Sequence, residues 1–275
     1  AHLSSIGLSI KKSEIRGVSS EGMICSLEEL GLDSNSDGIE IIDPQKIKHH
    51  KLGTEASKIL GLNDFIFDLA ITANRPDGMS VIGIAREISA LLQTKLTLPP
   101  EEKIIDLNSF KPDKLCQETI SSECIYTISY IENVNGKIKS PNWIKERLEK
   151  SDIKSKNLIV DITNYILLEQ GQPLHAFDSK KLSQLVGRDV LPEDFGVRKA
   201  KKGEYLKALD GIEYELNENI SIIVCCDKPV AIAGVIGGLQ TAVTENTTSI
   251  ILEAAVFNPS IIRKSSREIG IRTES

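Results

Sequence analysis

Aromatic residues make up only 4% of this 275-residue chain, with a single tryptophan. No stacking platform for single-stranded bases is visible in so few rings, and base readout is not the expected main task. The five cysteines, Cys25, Cys116, Cys124, Cys225 and Cys226, form no C-x-x-C pair and have no histidine at zinc spacing. That pattern points to reduced thiols in a cytoplasmic protein. Cys225 and Cys226, adjacent at the end of an apolar run, are expected on opposite sides of a strand. No apolar stretch approaches the roughly 20 residues that span a bilayer. The N-terminus carries no signal-peptide pattern, so no membrane partner is expected. A net charge of −6 excludes wholesale wrapping of nucleic acid and leaves only short local basic faces.

What is present is 40% hydrophobic residues, enough for one large or two ordinary domains. Residues 1–50 begin with strand-like alternation (Ile6, Leu8, Ile10, Ile15, Val18), then a glycine-rich turn. Thr54 to Leu60 reads as a short helix with Thr54 as N-cap and Gly61 just past its end. Asp68 to Ile71 reads as a strand. After a turn at 74–78, Val81, Ile84, Ala85, Ile88, Leu91 and Leu92 mark one apolar helical face, a packing element. Arg75 and Arg86 are expected on solvated faces. Pro99-Pro100 is the best linker in the chain.

Beyond it, Cys124 to Ile131 alternates as a strand, and Ser140-Pro141 opens a helix with Ile144 and Leu148 on one face. Ile159 and Val160 read as the end of a strand, and Gly171-Gln172-Pro173 stops the apolar run that follows Thr163-Asn164-Tyr165. Residues 179–218 are polar, and the lysines of 199–202 are expected in a solvated loop. Ile220 to Cys225 and Ile250 to Leu252 read as buried strands. Asn258-Pro259 caps a last helix with Ile261, Ile262 and Ile269 inward, Arg263, Lys264 and Arg267 outward, and Gly270 at its end. Strands and helices mix without a βαβ rhythm, so the class is α+β.

Three positions invite chemistry. His175, just past a forced turn, can point back toward the Thr163 and Asn164 backbone; read blandly, it is a half-buried histidine satisfied by a carbonyl. Glu253, ending an apolar strand before two alanines, is either on an exposed edge or aimed into a cavity, and sequence alone favours the edge. The glycine-rich 231–238 segment can cradle a phosphate or let two backbones approach. It lacks the P-loop ending and is not G-x-G-x-x-G, which favours a narrow pocket wall.

Seven ordered segments, IRGVSSEGMICSLEELGL (15–32), TANRPDGMSVIGIAREISALL (72–92), DITNYILLEQGQPLHAFD (161–178), LDG (209–211), AIAGVIGG (231–238), LEAAVF (252–257) and IRKSSREIGIRTES (262–275), resemble the β chains of bacterial phenylalanyl-tRNA synthetase around their B3/B4 editing region. The resemblance implies three parts: the C-terminal portion of an OB-fold tRNA-binding module (1–50), a small α/β linker domain (51–100) and a mixed-sheet B3/B4-like editing domain (101–275). The OB module's first strands are missing and the chain stops just after a motif, so it reads as a fragment.

By the same resemblance, His175, Asn164 and Thr163 orient water, ester and terminal ribose. Glu253 recognises a phenolic hydroxyl, Gly237 shapes the pocket, and Thr273 and Ser275 complete it. Ser275 departs from the family's alanine, a feature favouring the alternative of a structural, tRNA-docking segment. The implied activity is hydrolysis of tyrosine misattached to phenylalanine tRNA. An apolar synthetic pocket rejects one extra hydroxyl only about a hundredfold, so a second pocket must pair with that hydroxyl. The resemblance places aminoacylation, with ATP and magnesium, on a separate α chain of an α2β2 enzyme, and implies no cofactor in this fragment.

Overall fold

The computed structural model describes residues 2–271 except 4, 34, 35, 37, 43, 49, 100–115 and 121–123. Thr273, Ser275 and the Pro99-Pro100 linker's second proline therefore lie outside the described residues. The chain divides into two compact units, 1–67 and 68–275. The expected boundary near residue 100 falls at the edge of the undescribed 100–115.

The first unit contains two antiparallel hairpins, β1 (His2–Leu3) with β2 (Leu8–Ser9) and β3 (Ser13–Ile15) with β4 (Val18–Ser20). Two short helices follow, α1 (Pro44–Ile47) and α2 (Ala56–Ile59). Thr54 does not cap α2: its hydroxyl donates to the Lys51 carbonyl, and Glu55 holds the cap position.

In the second unit, residues 68–71 form no strand. Helix α3 (Val81–Leu92) is capped by Ser80, whose Oγ accepts from the Gly83 amide at 3.0 Å. Its apolar stripe is packed only in part: Ile84 and Ala85 are half-buried, Val81, Ile88, Leu91 and Leu92 are exposed, and Ile82 and Gly83 beside them are buried. Close approach sets that orientation, since a Cβ at Gly83 would lie 1.6 Å from the Asp77 carbonyl oxygen. Arg75 is not merely solvated but pairs with Asp77 and Glu87.

Two four-stranded antiparallel sheets form the body of this unit. The first has the order β5 (Cys116–Ile120), β6 (Cys124–Glu132), β14 (Ser249–Phe257), β7 (Leu174–Asp178). The second runs β13 (Ile236–Gly237), β12 (Lys228–Ile232), β11 (Ser221–Cys225), β8 (Phe195–Lys199). A hairpin of β9 (Glu204–Lys207) and β10 (Glu213–Leu216) stands beside them.

Because strand side chains alternate, each sheet has an inner and an outer apolar face. Tyr126, Ile128, Phe177 and Ile251 from the first meet Ile223, Cys225, Val230 and Ala231 from the second in the central core. Sheets packed this way bury both inner faces. On the outer side of the second sheet, Ile222, Ile232 and Val235 pack with Ile262 and Ile269 of α7 (Pro259–Ile269). That helix is capped as expected, Asn258 Oδ1 accepting from the Ser260 amide and Gly270 closing it.

On the outer side of the first sheet lie Ile159, Ala176 and Ile250. Ile159 belongs to a helix, not a strand: α5 (Leu158–Gln170) starts at Asn157, whose Oδ1 accepts from the Val160 amide. The β-branched pair there suggested a strand; the cap overrides it. Ser140 likewise does not cap α4 (Asn142–Lys150), in which Ile144 and Leu148 are buried. Its hydroxyl donates instead to Asp161, a fully buried carboxylate that also accepts from the Ser155 hydroxyl (2.6 Å) and the Lys156 amide (2.8 Å).

Residues 179–218 are not loop-like throughout. They hold α6 (Ser179–Val186), β8 and the β9–β10 hairpin. Lys199 donates to Ser221 and Lys201 pairs with Asp227. Cys226 does not face across a strand from Cys225: Cys226 and Asp227, with φ of +47° and +63°, make the two-residue turn joining β11 to β12, the primed geometry that matches strand twist.

Candidate functional site

Strand β7 carries the L-H-A-F-D sequence and pairs antiparallel with β14, which carries L-E-A-A-V-F. In this register Glu253 lies directly opposite His175, and Ile251 opposite Phe177. Alternation then puts His175, Phe177, Glu253, Ala255 and Phe257 on the inner face. The expectation that Glu253 sits on an exposed edge is overturned: it is 6% exposed. A central strand flanked on both sides by β6 and β7 has no edge to offer it.

His175 does not turn toward Thr163 and Asn164. Its ring meets Phe177 edge-on at 4.5 Å between centroids. Facing it is the β12–β13 corner, the 231–238 segment, which is a pocket wall. A Cβ at Gly237 would stand 2.4 Å from His175 Cε1 and 2.7 Å from Nε2, so only glycine leaves room for the imidazole. The LDG turn braces the same corner, the Leu209 amide donating to the Gly237 carbonyl at 3.0 Å.

Between the sheets opens a cavity of about 570 Å³, lined by His175, Gly237 and Glu253 together with Ala231, Val235, Ala255, Phe257 and Ile262, and bordered by Pro76, Arg263 and Ser266. Small-molecule pockets typically fall within roughly 300–1,000 Å³ and set a few polar groups in an apolar lining. Here the polar groups are Glu253 Oε2 and His175 Nε2, both sealed from solvent and both without a hydrogen-bond partner among the described residues. Such orphans are rare in folded chains and call for a cause. Burial pushes the Glu253 carboxyl up to about 8 and the His175 imidazole down to about 4, because an apolar surround disfavours either charge. Near neutral pH both groups are uncharged, so each can donate and accept a hydrogen bond.

Thr163 and Asn164 are not in the lining. Both lie on α5, which covers the outer face of the β7 sheet. Thr163 is buried there, its Oγ1 donating to the Val160 carbonyl at 2.8 Å. Sequence reasoning missed Ala255, Phe257 and Arg263 as lining residues. Two-residue spacing from Glu253 would have found Ala255 and Phe257. Arg263 was read as facing out; it is exposed and borders the cavity as well. Among the described residues no cluster of histidine, cysteine or acidic side chains has metal-binding geometry, and no helix is long and apolar enough to cross a membrane.

The B3/4 domain family matches residues 123–275, and the chain belongs to that family. The match takes in every strand of the two sheets except β5, and every lining residue except Pro76. Over its whole length the chain is 68% identical to the phenylalanine–tRNA ligase beta subunit of Prochlorococcus marinus subsp. pastoris (strain CCMP1986 / NIES-2087 / MED4) and 46% identical to that of Synechococcus sp. (strain CC9605). It spans 33% of the length of each of those relatives. An N-terminal fragment of the phenylalanyl-tRNA synthetase beta-subunit from Pyrococcus horikoshii overlaps 82% of this chain and 71% of its own, at 15% identity and a TM-score of 0.33.

Proposed function

We propose that the cavity is an editing site that hydrolyses the ester of tyrosine misattached to phenylalanine tRNA, within a phenylalanine–tRNA ligase beta subunit. In this reading the beta subunit works beside an α subunit that performs the ATP- and magnesium-dependent aminoacylation, as an α2β2 cytoplasmic enzyme. The observation that carries it is that His175 and Glu253, each with a buried polar atom that has no partner among the described residues, line one apolar cavity.

A phenol hydroxyl entering beside Glu253 gives that carboxyl a partner; a phenylalanine ring leaves it unpaired. The difference is worth roughly 1–3 kcal/mol per group. That reverses the preference of an apolar synthetic pocket, which is where proofreading is needed. Hydrolysis itself requires a positioned water and stabilisation of the oxyanion, without a serine or cysteine nucleophile.

His175, held near 4 by burial, is a weak base at neutral pH, because proton abstraction is most effective when the base titrates near the working pH. Its role is to orient water and ester through a neutral imidazole. Arg263 at the rim is suited to a backbone phosphate. Thr163 and Asn164, behind β7, make no contact with the amino acid in this reading and act on the terminal ribose or through the placement of β7. Thr273 and Ser275 keep the pocket-completing role that the resemblance gave them.

The test is deacylation of tyrosyl- and phenylalanyl-tRNA by the wild-type protein, Glu253→Ala and His175→Ala. Tyrosyl ester is expected to be hydrolysed at least tenfold faster by wild type, a ratio that falls toward one in Glu253→Ala, while His175→Ala slows both esters. Equal rates for both esters in the wild type overturn the reading.

A further inference from the structure

Helix α4 carries Trp143 and Arg147 one turn apart, and α5 sets Tyr165 against them. The Trp143 and Tyr165 rings meet at right angles, 5.1 Å between centroids. The Arg147 guanidinium carbon lies 5.4 Å from the Trp143 ring and 5.8 Å from the Tyr165 ring. Its Nη1 donates to the Tyr165 hydroxyl at 2.6 Å, and that hydroxyl donates to Glu169 at 2.7 Å. The guanidinium is thereby fixed in place, while Trp143, the only tryptophan in the sequence, remains 50% exposed.

The sequence that flanks Trp143 and Arg147 is basic in a chain that is acidic overall, and Glu169, bonded to the Tyr165 hydroxyl, is the acid at the cluster itself. Residues 137–156 hold seven lysines and arginines against three acids, a local charge of +4 against −6 for the whole. Lys137, Lys139, Lys154 and Lys156 are exposed, and among the described residues none of them has a carboxylate partner.

We infer that the Trp143–Arg147–Tyr165 cluster and its lysine surround form a docking surface for single-stranded RNA. Aromatic faces and guanidinium planes accept stacked bases, and lysines follow the phosphates. A double helix hides its base faces, and an acidic peptide satisfies the lysines but brings no planar group to Trp143. Scarcity of aromatics in the sequence argued against any stacking platform; three residues suffice once two helices bring them together. The inference rests on the proposed function, and deepens it by naming where the single-stranded end of the tRNA is held. Tyr165 and His175 belong to one helix–turn–strand segment, α5 to β7.

The test is fluorescence anisotropy of a labelled short single-stranded RNA ending in CCA, with the full-length protein. The same strand in a duplex, an abasic strand and polyglutamate serve as comparisons. Trp143→Ala is expected to weaken the single strand about tenfold, and Trp143→Phe to retain most of the affinity. Arg147→Lys keeps the charge and loses the plane; it is expected to weaken the single strand while leaving duplex binding unchanged. Lys154→Glu with Lys156→Glu is expected to flatten the dependence of affinity on salt. Unchanged single-strand affinity in both Trp143→Ala and Arg147→Lys overturns the inference. So does binding of the abasic strand or of polyglutamate as tight as that of the RNA, which would mark a site for phosphates alone or for an acidic protein. The probes carry no amino acid, so failure of the editing reading leaves these affinities unmoved, and failure here leaves the tyrosine-to-phenylalanine ratio unmoved.

Discussion

Glu253 and His175 are each neutral because each is buried, and that has opposite consequences for stability on the two sides of neutrality. The Glu253 carboxyl holds its proton up to about 8 in the fold against an ordinary value of 4.5. Its contribution to stability is full below 4.5 and drains away as pH rises toward 8. The His175 imidazole titrates near 4 in the fold against 6.5 ordinarily. Its contribution is full above 6.5 and drains away as pH falls toward 4. Between 4.5 and 6.5 the two slopes cancel, and the loss above 6.5 belongs to Glu253. Wild-type protein is therefore expected to lose about 2 kcal/mol between pH 6.5 and 8, at roughly 1.4 kcal/mol per pH unit. Glu253→Gln, which cannot ionise, is expected to be flat over the same range in urea titrations; an equal loss in the variant would rule this assignment out. The sequence could not reveal this burial. A glutamate after an apolar run is ordinarily an exposed end, and only the pairing of β14 on both sides places it inside.

The same dependence on neighbours decides which secondary elements the sequence disclosed. Helix α7 was legible because its cap, its proline and its closing glycine are local chemistry, and β6 and β11 because their patterns persist through the strand; β14 was legible only over Ile250 to Leu252, because Glu253 interrupts its apolar run in mid-strand. Helix α5 was misread at its start, where Ile159 and Val160 outweighed Asn157, the cap, and Asp161 in the first turn. Residues 68–71 have strand-like composition and no partner strand among the described residues, and they are irregular. Asp161 is the pivot between α4 and α5, accepting from Ser140, Ser155 and Lys156 while fully buried. Asp161→Ala strands two hydroxyls and an amide, and is expected to cost about 3 kcal/mol. Faster amide hydrogen exchange in the first turn of α5 would accompany that loss. A variant within about 0.5 kcal/mol of wild type would show that water replaces the carboxylate.

Across the whole chain, the cavity belongs to one of the two units. All its lining residues lie between Pro76 and Ser266, inside the 68–275 unit. Residues 68–275 produced alone are accordingly expected to prefer L-tyrosine over L-phenylalanine by about tenfold in calorimetry, the size of one satisfied hydrogen bond. Loss of that preference with the unit still folded would mean that other parts of the protein complete the site. Thr273 and Ser275, named from resemblance, lie outside the described residues, and Thr163 and Asn164 stand one layer behind the strand they flank.

Three residues, Gly171 to Pro173, join α5 to β7, and their number fixes which way β7 presents itself to β14. One residue more or fewer there would flip the strand's alternation, turning the imidazole into the helical layer and presenting Leu174 or Ala176 to the acid. Insertions and deletions in this short connection should therefore be far less tolerated than exchanges of its side chains, a pattern that deep mutational scanning of length variants would expose.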